Sequence, residues 1–145
     1  MNSHTKWFNT KIKLNHKPEC LDVINKWRVC MVDYGMNIGT EINGIRPSII
    51  FKNSNYKYWE DIIVIPITSY KDEQEKSKDE FDVEIEASRK NWLTNNSLIK
   101  IRQLRCVSKK RLKTNRKWEE VRILWEIEEK YHDEIETKVK TMLAI

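Results

Sequence analysis

The sequence predicts a small, mainly β domain, a strongly curved antiparallel sheet or barrel followed by a C-terminal α-helix. Three observations carry this. Apolar runs of strand length recur through the middle of the chain, apolar and acidic residues alternate at 81–86, and a helical period appears only after 133. With 145 residues, 39% hydrophobic and 34% charged, the chain has material for one core under a densely charged surface and no room for a second domain.

The chain opens with Lys6, Lys11, Lys13 and Lys17 and no apolar stretch, which does not support a secretory signal. Pro18 followed by Leu21, Ile24 and Trp27 predicts a short helical lead-in with proline in its first turn. VCMVDY at 29–34 is a strand, and it runs into a segment holding Gly35, Gly39 and Gly44, all 3 glycines of the protein. That concentration marks a flexible loop between two strands. PSIIFK at 47–52 and DIIVIPI at 61–67 are the next strands, continuous apolar runs suited to a sheet buried on both faces. Because proline has no N–H to give a ladder, Pro47 is expected at the first position of its strand and Pro66 near the end of the other.

Residues 71–80 are charged or polar throughout and predict an exposed, mobile loop. Phe81, Val83 and Ile85 alternate with Asp82, Glu84 and Glu86, the mark of a half-buried strand. Residues 98–107 predict one further strand, with Ile99, Ile101 and Arg105 on one face. At 119–128 two periods compete: Val121, Ile123, Trp125 and Ile127 alternate, while Trp118, Val121, Leu124 and Trp125 fit a helical stripe. The alternation favours a strand. From Asp133 onward, Ile135, Val139, Met142 and Leu143 recur at spacings of three and four behind Asp133, Glu134 and Glu136, an amphipathic helix with acids at its positive end.

The formal net charge is +5 and the sequence pI about 9.0, which fits an anionic partner without identifying one. Charge is unevenly spread. Residues 100–117 hold Lys100, Arg102, Arg105, Lys109, Lys110, Arg111, Lys113, Arg116 and Lys117 with no acid, whereas 71–90 and 118–145 are net acidic. A basic run of this kind is either a solvated face or a phosphate-binding strip. No apolar run nears the ~20 residues of a bilayer crossing, so the chain reads as cytoplasmic and without a membrane partner. Cys20, Cys30 and Cys106 are odd in number and widely spaced, against a disulfide framework or a zinc site. Cys30 and Cys106 lie in apolar stretches and read as buried hydrophobes, and His4, His16 and His132 lie in polar contexts, so Cys-His catalysis is disfavoured.

Phosphate-loop, dinucleotide-binding, zinc-protease and nucleophile-elbow motifs are all missing. What remains is Arg46, between the glycine loop and the Pro47 strand, with Thr68 and Ser69 at the end of the 61–67 strand. If those strands are neighbours, a guanidinium matched to phosphate oxygens and two hydroxyls meet at one sheet edge. Taken alone, the hydroxyls fit the start of a turn, and Arg46 a surface arginine, better than they fit a site.

The stretches VCMVDYG, IGTEINGIRPSIIFKN and IIVIPITS, then NSLI at 96–99 and IRQLRCVSKKRL at 101–112, resemble the MazF/PemK family of toxin ribonucleases from bacterial toxin-antitoxin pairs. The likeness covers most of the chain after Lys26, leaving residues 1–26 as an N-terminal extension, helical in part or flexible, and 27–145 as one domain. It implies a small SH3-like barrel of the MazF/CcdB type, acting as a homodimer on single-stranded RNA, with no metal or other cofactor and with a cognate acidic antitoxin. Carried over by motif, the catalytic pair falls on Arg46 and Thr68. Ser69, Asn37, Thr40, Glu41, Gln103 and Arg105 fall on substrate-binding positions, those at 37–41 in a loop that changes conformation when RNA or antitoxin binds. The reaction implied is sequence-selective attack of a ribose 2′-hydroxyl on the adjacent phosphorus, giving a 2′,3′-cyclic phosphate and a 5′-hydroxyl.

Trp27, Trp92 and Trp125 depart from the family, whose members commonly carry glycine there; each reads as core packing or as a platform for an unpaired base, with packing favoured for Trp125. Two other readings stand beside the nuclease. One is a CcdB-like toxin that poisons a protein target, set against by an ending Met142-Leu143-Ala144-Ile145 in place of Trp-Gly-Ile and by the Arg46/Thr68 pair. The other is a non-catalytic RNA-binding barrel.

Overall fold

The computed structural model describes residues 2–18, 23–53, 60–72, 78–91, 93–114 and 120–144. Helix α1 (Ser3–Asn15) is followed by strands β1 (Arg28–Asp33), β2 (Ile45–Lys52), β3 (Asp61–Ser69), β4 (Val83–Ile85), β5 (Ser97–Ile99), β6 (Arg105–Ser108) and β7 (Ile123–Glu126), and then helix α2 (His132–Leu143). The sheet runs β4-β5-β3-β2-β1-β7, and β6 pairs with β3 beside β5; every pairing is antiparallel. Beyond β6 a 3-10 turn (Lys109–Arg111) delivers Leu112 to a bridge with Val32 of β1. The sheet is thereby curled back on itself.

The continuous apolar strands bury both faces, as their patterning predicts. Even-numbered side chains Cys30, Val32, Ile50, Ile62 and Val64 enter one core cluster with Tyr34, Val107 and Leu112. Odd-numbered Val29, Ile49, Ile65 and Ile67 enter a second cluster, which β4, β5 and Ile135 and Val139 of α2 complete. Alternation of side chains across each strand makes one run serve two cores.

Several expectations are corrected. Pro47 is the third residue of β2, opposite Met31. The Met31 carbonyl accepts from Lys113 N, away from β2, so the Met31/Pro47 pair exchanges no hydrogen bonds and the missing N–H faces the side where the β2–β3 ladder has already ended at Ser48↔Pro66. Pro66 is likewise inside β3, at the break between the part paired with β6 (61–64) and the part paired with β5 (67–69). The strand expected over 98–107 is two strands joined by a 3-10 corner (Ile101–Gln103), which sets Arg105 apart from Ile99 and Ile101. That corner lets β5 and β6 pair with different halves of one long strand.

The strand expected over 81–86 is confined to β4, and Asp82, expected to face solvent, is buried, with Oδ2 accepting from Lys100 Nζ at 2.6 Å and its carbonyl from Lys138 Nζ at 2.6 Å. The lead-in after Pro18 is not helical at 23–27, and Leu21 lies outside the described residues, as do Cys20, Trp92, Trp118 and residues 73–77 of the expected polar loop. Cys106 is exposed, contrary to its apolar surroundings in sequence. Leu143 is exposed at the end of α2. The ambiguous segment forms strand β7, with Trp125 in the core.

Candidate functional site

Arg46 is the second residue of β2 and Thr68 the eighth of β3. The register Ser48↔Pro66, carried two residues further, sets Arg46 opposite Thr68, but the ladder itself stops at Ser48↔Pro66. From there β3 turns to β5, pairing Thr68 with Leu98 and Ser69 with Ser97, while β2 stays with β1. The strands part, and Thr68 and Ser69 belong to the strand rather than to a turn.

Two cavities occupy this fork. One, of about 320 Å³, is lined by Arg46, Pro47, Ile67 and Ser69 against Thr94 and Asn95. The other, of about 620 Å³, is lined by Thr68 and Ser69 against Thr40, Glu41 and Gln103. Ser69 lines both. Arg46 is half-buried, and its Nε donates to the Asn43 carbonyl at 3.1 Å. Among the described residues its Nη groups carry no hydrogen bond. Thr68 Oγ1 is shut away from solvent and has no partner. An unpaired buried hydroxyl costs on the order of 1–3 kcal/mol.

The wall opposite Thr68 is the 35–44 loop, in which all three glycines have positive φ. Gly44 N donates to Gly35 O at 2.8 Å and Tyr34 N to Gly44 O at 2.9 Å, so the loop closes at its base. Asn37 Nδ2 donates to the carbonyls of Tyr34 (3.0 Å) and Ile42 (2.7 Å), and Glu41 Oε2 accepts from Ile38 N at 3.0 Å. Asn37 and Glu41 are therefore struts of the loop in this state. Gln103 fastens it from outside: Oε1 accepts from Ile42 N and Nε2 donates to Thr40 O, both at 3.2 Å.

Arg105 stands over the Tyr34 ring at 5.9 Å. The Tyr34 hydroxyl is 2.7 Å from Ser48 Oγ, which also lies 3.3 Å from the Arg46 carbonyl, so a buried polar chain reaches the backbone of Arg46. Burial pushes the Tyr34 phenol well above its ordinary range, against the opposing pull of Ser48 and Arg105. Burial and the neighbouring Arg105 lower Arg111, with Asp33 acting the other way.

Trp27 is not a stacking platform. It has φ +74, the left-handed conformation that glycine adopts without strain, and its ring lies parallel to His132 at 4.0 Å and edge-on to Phe51 at 5.9 Å, with Lys26 Nζ 4.7 Å from its centroid. The indole ties the start of β1 to α2.

Residues 25–143 match the family of PemK-like, MazF-like toxins of type II toxin-antitoxin systems. The chain belongs to that family. The fold agrees: MazF from Deinococcus radiodurans superposes with a TM-score of 0.62 at 16% identity, covering 86% of this chain and 99% of the other. An endoribonuclease from a mycobacterial species, solved with its cognate antitoxin, gives 0.57 at 16% identity over 86% and 96%. A MazE-MazF complex from Deinococcus radiodurans gives 0.57 at 13% identity over 86% and 98%.

Helix α1 lies outside the matched residues, in the extension for which the sequence left a helix or a flexible arm open; its seat on the 35–44 loop was not foreseen. Its Trp7 packs on Gly35, where a Cβ would come within 2.1 Å of the indole. The available signal was an indole among lysines in a chain whose glycines are few.

Proposed function

We propose that this toxin is an endoribonuclease that cuts single-stranded RNA at the fork between β2 and β3. The observation that supports the reading is the fork beyond Ser48↔Pro66, which leaves Arg46 on β2 and Thr68 on β3 as the strands diverge, with Ser69 lining the cavity beside each, in a chain of this family. Arg46 presents a planar fork of donors to the phosphate and stabilises charge as the pentavalent phosphorane forms. Thr68, with Ser69 beside it, orients the 2′-hydroxyl or a phosphate oxygen. The 2′-oxygen bonds to phosphorus, the bond to the 5′-oxygen breaks, and that oxygen takes a proton, for which Arg46 is the proposed donor although a guanidinium holds its proton tightly. The proton of the 2′-hydroxyl passes to a base other than Arg46 or Thr68. No metal ion takes part.

The Thr68 hydroxyl is shut away from solvent in the state described, and the 35–44 loop, which shares its cavity, is the segment whose shift would admit RNA, with Asn37, Thr40, Glu41, Gln103 and Arg105 then bordering the substrate. The acting species is a homodimer in the cytoplasm, cleaving at short sequence motifs and held in check by an acidic antitoxin. Among the described residues no helix is long and apolar enough to cross a membrane.

The test is cleavage of a long single-stranded RNA in the presence of a chelator, with the ends sequenced. Arg46→Ala is expected to lower the rate by a factor on the order of 10²–10³, as loss of a principal oxyanion donor does, with the circular dichroism unchanged. Unchanged cleavage in this variant removes Arg46 from the site. Binding without cleavage by the wild-type chain replaces the nuclease with an RNA-binding barrel.

A further inference from the structure

Helix α1 has no buried residue and is held by a few contacts. Lys17 Nζ donates to the carbonyls of Lys110 and Leu112, Lys110 Nζ donates to the Asn15 carbonyl, and the Arg111 guanidinium lies 5.7 Å from the Trp7 ring. Between α1 and the Lys109–Arg111 turn this leaves a cleft of about 510 Å³, its walls including Phe8, Lys11, Ile12, Glu60, Lys110 and Arg111. Phe8 is 62% and Ile12 43% exposed, one helical turn apart on α1. An exposed apolar pair beside an open cleft marks a surface built for a partner.

The charges on the cleft select the partner's chemistry. Among the lining residues Lys11, Lys110 and Arg111 stand with one acid, Glu60, while Asp33 acts on Arg111 from outside the cleft, and α1 adds Lys6 and Lys13 with no acid of its own. We infer that the cleft docks an acidic peptide segment whose apolar side chains, spaced three or four residues apart, enter between Phe8 and Ile12 while its carboxylates meet the surrounding cations. Given the toxin reading, on which this rests, the segment belongs to the cognate antitoxin. Single-stranded RNA fits less well, because base stacking needs free aromatic faces. The Trp7 indole is already packed against Gly35, Ile12 and Leu14 offer no π-face, and Phe8 alone among the lining residues presents an exposed ring, too few for a run of stacked bases. The site is an addition to the family domain, since α1 precedes the matched residues 25–143.

Fluorescence anisotropy tests the inference with a labelled helical peptide of glutamates bearing leucines at positions i, i+3 and i+7, beside a version with serine for leucine and one with lysine for glutamate. The full chain is expected to bind the first peptide only. Lys11→Glu and the double variant Phe8→Ser/Ile12→Ser should each weaken binding roughly tenfold or more. These side chains are exposed, and unchanged thermal melting confirms that the variants fold. Absence of binding up to ~1 mM, or equal binding by wild type and both variants, overturns the proposal. Loss of affinity for oligouridine in the double variant, without loss for the peptide, assigns the cleft to RNA instead. Cleavage is read separately: a chain that binds the peptide but cuts no RNA loses the nuclease and keeps the cleft, and one that cuts RNA but ignores the peptide loses the cleft alone.

Discussion

Tyr34 shows how one side chain serves both stability and the candidate site. It is fully buried, and among the described residues its hydroxyl meets Ser48, which in turn reaches the Arg46 carbonyl. Tyr34→Phe should cost about 1 kcal/mol in urea unfolding, the usual net value of such a bond. The pH dependence has a definite sign. In the unfolded chain the phenol ionises near its ordinary value of 10.0, while in the folded chain burial holds the proton on to higher pH. Above the ordinary value the unfolded state therefore binds fewer protons than the folded one, and stability falls as pH rises. Below it Tyr34 adds no pH dependence. Unfolding curves taken on both sides of pH ~10 should show this decline in the wild type and a shallower one in Tyr34→Phe. Parallel slopes would mean that the phenol ionises in place.

At the scale of elements, the contact that joins α1 to the 35–44 loop is a glycine chosen for two reasons. Gly35 has φ +71, and a Cβ there would lie 2.1–2.5 Å from three atoms of the Trp7 ring. Gly35→Ala is expected to destabilise by roughly 1–2 kcal/mol from backbone strain alone, with a further loss as Trp7 is displaced. In a Trp7→Ala background only the strain should remain, so a double-mutant cycle in urea reads the contact directly; an identical cost in both backgrounds would show that α1 does not rest on the loop. The same elements explain what was legible in the sequence. Strands β1, β2 and β3 were, because continuous apolar runs in a chain this short leave few other solutions, and the glycine loop was, because its conformation demands glycine. The 3-10 corner at Ile101–Gln103 was not: its apolar pattern continues that of the strands on both sides, and only pairing with two halves of β3 forces the bend. Arg46 and Thr68 carried a local meaning weaker than that of a surface arginine and a turn, and only the register between distant segments, which ends at Ser48↔Pro66, sets them on the two arms of one fork. The burial of Asp82 was hidden for a similar reason, since Lys100 and Lys138 arrive from other elements.

At the scale of the whole molecule, the basic segment 100–117 proves to be neither a solvated face nor a uniform phosphate strip. Lys100 is bonded to Asp82, Lys109 is fully buried, and Lys110 Nζ is committed to the Asn15 carbonyl. Arg111 Nη1 donates to the Asp33 carbonyl, Lys113 Nζ lies 4.0 Å from Asp33 Oδ2, and Arg116 and Lys117 are outside the described residues. The internal scaffold thus draws on most of the positive charge that the sequence displays. Arg102 and Arg105, with Arg46 at the fork, are the cations best placed to meet RNA under the proposed function. Each phosphate neutralised on a single strand lowers the logarithm of the binding constant by roughly 0.7 per decade of salt, so three contacts give a slope of roughly −2 where the whole strip of nine would give roughly −6. Binding of 2′-O-methylated single-stranded RNA, which lacks the attacking hydroxyl, measured across a potassium chloride series, separates the two. A slope near the shallow value means that the lysines of 109–113 stay with their protein partners when RNA binds. A slope near the steep one means that the turn at Lys109–Arg111 and the helix it holds release their bonds to the substrate.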